Sequence, residues 1–198
     1  MEAECAGGLI RALDGFRGCQ AETTEDERLS MITIRSETPE DYATVYRINT
    51  FAFASEGEAT LVDKLRAVHP HVSLVAVKDS RVVGHIFFSP VSVESDVANF
   101  MALGLAPMAV LPKYQNQGIG SQLVRQGLKE CESLGHDIVF VVGHPNYYPR
   151  FGFSPAKAKG IGCEYPVPDE VFMVVELKPE ALGGRTGLVR YRPEFAEV

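Results

Sequence analysis

The stretch that most constrains this chain runs from Leu103 to Leu123, where an apolar strand passes through a short turn at Pro112 into a glycine-rich helix entry. A helix entered from such a turn gathers unpaired backbone N–H groups and the positive end of its dipole at one point, which attracts an anion. Gly118 and Gly120 remove side chains that would hold a phosphate away from those amides. The preceding strand contains Gly104 and Pro107, both poor members of a regular ladder, so a bulge or an open edge is expected there. Backbone groups left unpaired beside an anion loop are available to the rest of the same ligand.

The chain has 198 residues and is 45% hydrophobic, enough for one well-buried domain and too little for two. Its net charge of −7 argues against a nucleic-acid surface as the main function and reads as charge for solubility. Cys5, Cys19, Cys131 and Cys163 form no C-x-x-C pair, so neither a zinc site nor a disulfide framework is expected, and no metal. Cys131 falls on the apolar face of the helix after Gly118 and is expected as a buried reduced thiol. No stretch approaches the roughly 20 apolar residues of a membrane span. Met1 to Gly8 carries acids and no basic run before Leu9 and Ile10, unlike a secretory signal. A soluble cytoplasmic protein with no membrane contact, monomeric or homodimeric, is the expectation.

Three regions follow along the chain. Residues 1–30, broken by Gly7, Gly8, Gly15 and Gly18, read as a poorly ordered extension; 31–180 as one domain; and 181–198 as an appended arm. Within the domain, Met31 to Arg35 alternates as a first strand. Thr38-Pro39-Glu40-Asp41 starts a helix through about Phe53. Leu61, Val62, Leu65 and Val68 mark a second helix. Val72 to Val77 and Val82 to Val93 form a hairpin about Lys78-Asp79-Ser80-Arg81, and Asn99 to Val110 is a further strand. A helix from Gly118 to Leu134, ended by Gly135, precedes the buried strand Asp137 to Val142. Val171 to Leu177 is expected to close the sheet. This order indicates a mixed α/β (α+β) domain.

The glycine loop is neither of two familiar types. No Gly-Lys-Ser or Gly-Lys-Thr supports a P-loop, and Leu123 stands where a dinucleotide fingerprint needs its third glycine. What remains is Gln-x-x-Gly-x-Gly at Gln115, Gly118 and Gly120. With Pro107 to Leu111 before it and Leu123 after it, this run resembles the acetyl-CoA motif of the GNAT superfamily of N-acetyltransferases. Asn146-x-Tyr148-x-x-x-Gly152-Phe153 resembles that family's catalytic segment, and Tyr191-x-Pro193-x-Phe195 resembles the tail of its YhbS-like bacterial branch.

The resemblance implies a central, mostly antiparallel mixed sheet flanked by helices, with a splayed strand at the cofactor site. It implies acetyl-CoA as co-substrate and direct acetyl transfer to a primary amine of a small molecule, protein or peptide. An idle acyl-CoA sensor or interaction module on the same fold is the alternative, since fold alone confers no activity. Main-chain groups of Met108, Ala109 and Val110 would hold the pantetheine arm. Gln115, Asn116, Gln117, Gly118, Ile119, Gly120 and Ser121 would wrap the pyrophosphate, and Asn146 would touch the cofactor near its pantetheine end. Tyr148 would protonate the departing thiolate, with Tyr147 second in rank, and the N–H of Met108 or Val110 would meet the oxyanion. The general base is open among Glu94, His85 and His144. Glu56 and Glu58 read first as solvated loop charges and second as selectors of a cationic acceptor. Tyr165 to Pro168 reads as a connector, and Arg185 and Arg190 as binding nothing specific.

Overall fold

The computed structural model describes residues 32–197, so the expected extension 1–30, with Cys5 and Cys19, lies outside the described residues, as does Met31. The alternating run after Met31 becomes β1 (Thr33–Ser36), and the central hairpin becomes β2 (Val72–Lys78) and β3 (Arg81–Glu94). Asp79 and Ser80 between them have φ of 50° and 57°, the left-handed pair that a tight hairpin turn needs to match strand twist. Next come β4 (Phe100–Val110), β5 (Ile138–Val142), β6 (Ser154–Pro155), β7 (Ile161–Cys163), β8 (Phe172–Glu176) and β9 (Gly187–Arg190). The sheet order is β1-β2-β3-β4-β5-β8-β6, with β9 on β3 beyond the end of β2. Among the described residues only the β4–β5 and β7–β9 pairs are parallel, giving the mixed, mostly antiparallel sheet expected.

Two expectations are corrected here. Val171 to Leu177 does not close the sheet: β8 is interior, between β5 and β6. The residues expected as an appended arm supply β9, whose Val189 is fully buried against the sheet. Strands of two to four residues in a Gly- and Pro-containing region carry too short a pattern to be read locally.

Helices α1 (Tyr42–Phe53) and α2 (Gly57–Leu65) cover one face, where Val45, Leu61, Val62 and Leu65 pack on Val75 and Phe87. Thr38 and Pro39 open a 3-10 turn before α1; Asp41 closes it by accepting the Thr38 N–H at 2.9 Å and both Arg35 Nη groups at 2.6 and 2.9 Å. Helix α3 (Ile119–Ser133) covers the opposite face, with Leu123, Val124, Leu128 and Cys131 against Ile86, Phe88 and Leu103. Successive β3 side chains thus serve two cores, which is why that strand is apolar almost throughout. No helix among the described residues is long and apolar enough to cross a membrane.

Gly127 sets how closely α3 lies on β3. A Cβ there would stand 2.4 and 2.6 Å from the ring of the fully buried Phe88. Gly127→Ala is therefore expected to destabilise the fold by about 1–3 kcal/mol despite the better helix propensity of alanine, read as a lower denaturant midpoint.

The interruption in β4 positions the site. Ile86 pairs with Met108 but Phe88 pairs with Leu105, so β4 carries one extra residue around Ala106 and Pro107. Pairing of β4 with β5 stops at Leu105 and Val141, leaving Met108 to Val110 bonded to β3 on one edge and with no strand among the described residues on the other. Gly104 takes no part in this. It is in register with Ser89 and Phe140, and its missing side chain makes room for Val91, whose Cγ1 would lie 2.9 Å from a Cβ.

Candidate active site

Beyond Val110 the chain makes a 3-10 turn, Pro112–Tyr114, and enters α3 through two left-handed residues, Asn116 (φ 59°) and Gly118 (φ 81°). Asparagine and glycine are the residues that adopt this conformation at least cost. The first helical bond runs from Gln122 N–H to Gly118 C=O at 3.1 Å, so the amides of Ile119, Gly120 and Ser121 precede the intrahelical ladder. Two glutamines brace the loop. Gln115 Nε2 donates to Val110 C=O at 3.0 Å; Gln117 Nε2 donates to Lys113 C=O at 3.0 Å, and its Oε1 accepts from Lys78 Nζ at 2.9 Å.

The opposite wall follows β5. Gly143 has no side chain because the Tyr148 ring fills that place: a Cβ would lie 2.2 Å from Tyr148 Cε2. The ring is held edge-on by Tyr147 at 5.1 Å and Phe153 at 5.5 Å between centroids. Burial, with a smaller effect of Tyr147, pushes the Tyr148 phenol well above its ordinary value, so it keeps its proton throughout the neutral range. Tyr147 reaches back across the gap, its Oη 2.8 Å from where a Cβ of Gly120 would stand.

Between the walls lies a cleft of about 620 Å³. It brings together Met108, Val110, Gln115, Asn116, Gly118, Ile119, Gly120, Ser121 and Tyr148 of the expected set, with Tyr147 and His144. Three expected residues are not in its wall. Ala109 is buried, in register with His85; the Gln117 side chain is committed to the brace; Asn146 is exposed outside the cleft. Tyr114 and Arg150 line it without having been singled out; Arg150, two residues past Tyr148 in the same turn, was the more findable of the two.

The possible bases separate clearly. His85 is fully buried and held neutral, its pKa driven down to about 3 by desolvation and by the nearby Arg66. Glu94 is taken up by Arg190 at 2.8 Å. His144 alone of the three lines the cleft. Glu56 is exposed, whereas Glu58 turns Oε2 inward with no hydrogen-bond partner among the described residues. Cys131 is a buried thiol pushed up to about 12, chiefly by desolvation, and Cys163 is free.

Residues 33–156 match the acetyltransferase (GNAT) domain family. The chain belongs to the GNAT acetyltransferase family. It is 38% identical over 164 residues to the uncharacterized N-acetyltransferase YhbS of Escherichia coli, covering 82% of this chain and 97% of that one. A crystal structure of the E. coli YhbS protein in complex with CoA superimposes with a TM-score of 0.76 at 36% identity, over 83% of this chain and 92% of that one. A GNAT acetyltransferase from Brucella melitensis in complex with acetyl-CoA gives a TM-score of 0.68 at 32% identity, covering 83% and 98%. This acetyltransferase therefore carries its family's fold over nearly all its described length.

Proposed function

We propose that the acetyltransferase moves an acetyl group directly from acetyl-CoA to a primary amine within this cleft. The single observation that supports this most is the open edge of β4 facing Tyr148 across a cleft that ends at the free amides of α3. The residues present fit the cofactor. Gly118 and Gly120 leave a cradle, with nothing within 4 Å of a Cβ at Gly118. N–H groups that precede the helical ladder suit a pyrophosphate, and the edge at Met108 to Val110, which no neighbouring strand takes up, suits the amide-bearing pantetheine arm. Solved relatives hold CoA and acetyl-CoA.

Acetyl-CoA supplies an activated thioester carbonyl and a good leaving group. The protein's part is placement, an oxyanion donor, and control of two protons. The backbone N–H of Met108 or Val110 is the oxyanion donor, because these residues line the cleft on the strand edge that β5 leaves open. His144 stands in the wall to take the proton shed by the amine, directly or through water. Tyr148 meets the leaving sulfur. A phenol whose pKa is raised holds its proton more tightly than a free thiol near 8.5, so Tyr148 acts chiefly as a hydrogen-bond donor to the developing thiolate. As the amine nitrogen bonds to the carbonyl carbon, the carbon–sulfur bond breaks toward that donor.

Tyr148→Phe is expected to lower kcat by ~10-fold or more, about 1.4 kcal/mol in the barrier, with KM for acetyl-CoA unchanged. An unaltered kcat would remove Tyr148 from the reaction. In the parent protein the rate should rise with pH as the acceptor amine loses its proton, with no basic fall due to Tyr148 up to pH ~10, the ordinary tyrosine value. Release of free thiol from acetyl-CoA over a panel of polyamines, amino acids and peptide N-termini tests the activity, with thermal shift by CoA alongside. Stabilisation without turnover on any amine would favour an acyl-CoA sensor, and no stabilisation would remove the cofactor assignment.

A further inference from the structure

Arg150 lines the cleft and Arg125 shares the Phe151 ring with it, and neither guanidinium has a carboxylate partner among the described residues. Arg150 leaves the turn that carries Tyr148 and lies over the Tyr147 ring, 4.3 Å from its centroid, with Nε donating to Tyr147 C=O at 3.1 Å. That bond uses the inner nitrogen, and neither Nη group has a partner among the described residues. Arg150 also stands 5.7 Å from the centroid of Phe151, and Arg125 of α3 stands 5.2 Å from the same ring. Among the described residues no carboxylate lines the cleft, and Arg150 is its one permanently charged side chain. On a chain of net charge −7, two unneutralised guanidiniums on one aromatic ring, one of them in the cleft wall, offer an anion its charge partners.

We propose that Arg150 and Arg125 hold the ribose 3′-phosphate of CoA and make the enzyme distinguish CoA from dephospho-CoA. The inference rests on the cofactor reading above. The pyrophosphate already has its donors, the backbone amides at the start of α3. Arg150 is set off from those amides by Tyr147, whose hydroxyl faces Gly120 while its ring carries the guanidinium. An anion at the guanidiniums is therefore a second centre on the same ligand, and a phosphate monoester matches the planar, two-pronged donor of arginine. The basic groups behind the loop are less suited. Lys78 is engaged by Gln117 at 2.9 Å, Lys113 lies over the Tyr114 ring at 4.7 Å, and neither lines the cleft.

Calorimetric titration of the full chain with CoA and with dephospho-CoA tests the proposal, using Arg150→Gln, Arg125→Gln, the double variant, and Lys113→Gln. The parent protein is expected to bind CoA ~10- to 100-fold more tightly, the scale of a charge-assisted pair. The double variant should lose that preference through weaker CoA binding, with dephospho-CoA affinity kept within ~2-fold, which also shows that the variant is folded. Lys113→Gln should keep the preference. Equal loss for both ligands would place the arginines on the pyrophosphate and overturn the proposal. So would a parent protein with no preference, or a preference removed by Lys113→Gln and not by the arginine changes. Binding of neither ligand by the parent would overturn the cofactor reading and this proposal with it.

Discussion

Gly120→Val is expected to yield a folded protein whose affinity for CoA falls by ~100-fold or more, about 2.7 kcal/mol. A side chain at this position would enter the cleft where its walls face each other, 2.8 Å from Tyr147 Oη and 3.7 Å from Met108 Cε. Both atoms are ends of side chains beside open space, so they can move aside and the fold should lose little: a melting temperature within ~4 °C of the parent. The ligand has no such freedom. Reaching the amides of Ile119, Gly120 and Ser121 requires the volume that the valine methyls would take. Titration with CoA and thermal unfolding of the unliganded variant separate the two effects. Full affinity in the variant would mean that the anion is not held at the start of α3.

How much of this was legible in the chain depends on whether the information is local. The loop could be read because Asn116, Gly118 and Gly120 act through their own backbone conformation or lack of side chain. The break in β4 could be read from Pro107, which cannot take part in a continuous ladder; Gly104 gave the same signal for a different reason, close packing by Val91 and Tyr191. The Tyr148 position followed from motif spacing. What no local pattern carries is which distant groups meet. The contact of Tyr147 with Gly120, the ring of Tyr148 over Gly143, and the bracing role that removes the Gln117 side chain from the cleft are all tertiary facts. The same holds for β9, four residues long and recognisable as a strand only once β3 offers an edge.

His85 shows this most sharply, and it carries the second large expected effect. As a sequence feature it was one possible base; in the structure it is the centre of a buried hydrogen-bond chain. Asn49 Nδ2 lies 3.3 Å from His85 Nδ1, His85 Nε2 lies 3.0 Å from Ser73 Oγ, and the Ser73 hydroxyl donates to Glu37 Oε2 at 2.7 Å. Arg66 closes the chain on Glu37 at 2.6 and 3.1 Å. Because the Asn49 amide nitrogen can only donate, the chain fits a neutral imidazole with its proton on Nε2; a second proton on Nδ1 would face another donor. The folded pKa is accordingly about 3, against an unfolded value near 6.5. Below pH ~6.5 the unfolded chain therefore takes up a proton that the folded protein refuses. Stability should be unaffected by this group above that pH and fall on acidification by ~1.4 kcal/mol per unit until about pH 3. His136, lowered by burial, adds in the same direction. Asp41, held near 2 chiefly by its bond to Arg35, matters only below the ordinary carboxylate range. Chemical unfolding at pH 7 and pH 5 should thus show a loss of ~2 kcal/mol in the parent. His85→Gln should be less stable at pH 7 but much flatter between the two. A parent protein with no slope in that window would contradict the neutral, enclosed imidazole. The slope, if found, removes His85 as a base for the acceptor amine: a group that stays unprotonated down to about pH 3 takes no proton at neutral pH, which leaves His144 in the cleft wall.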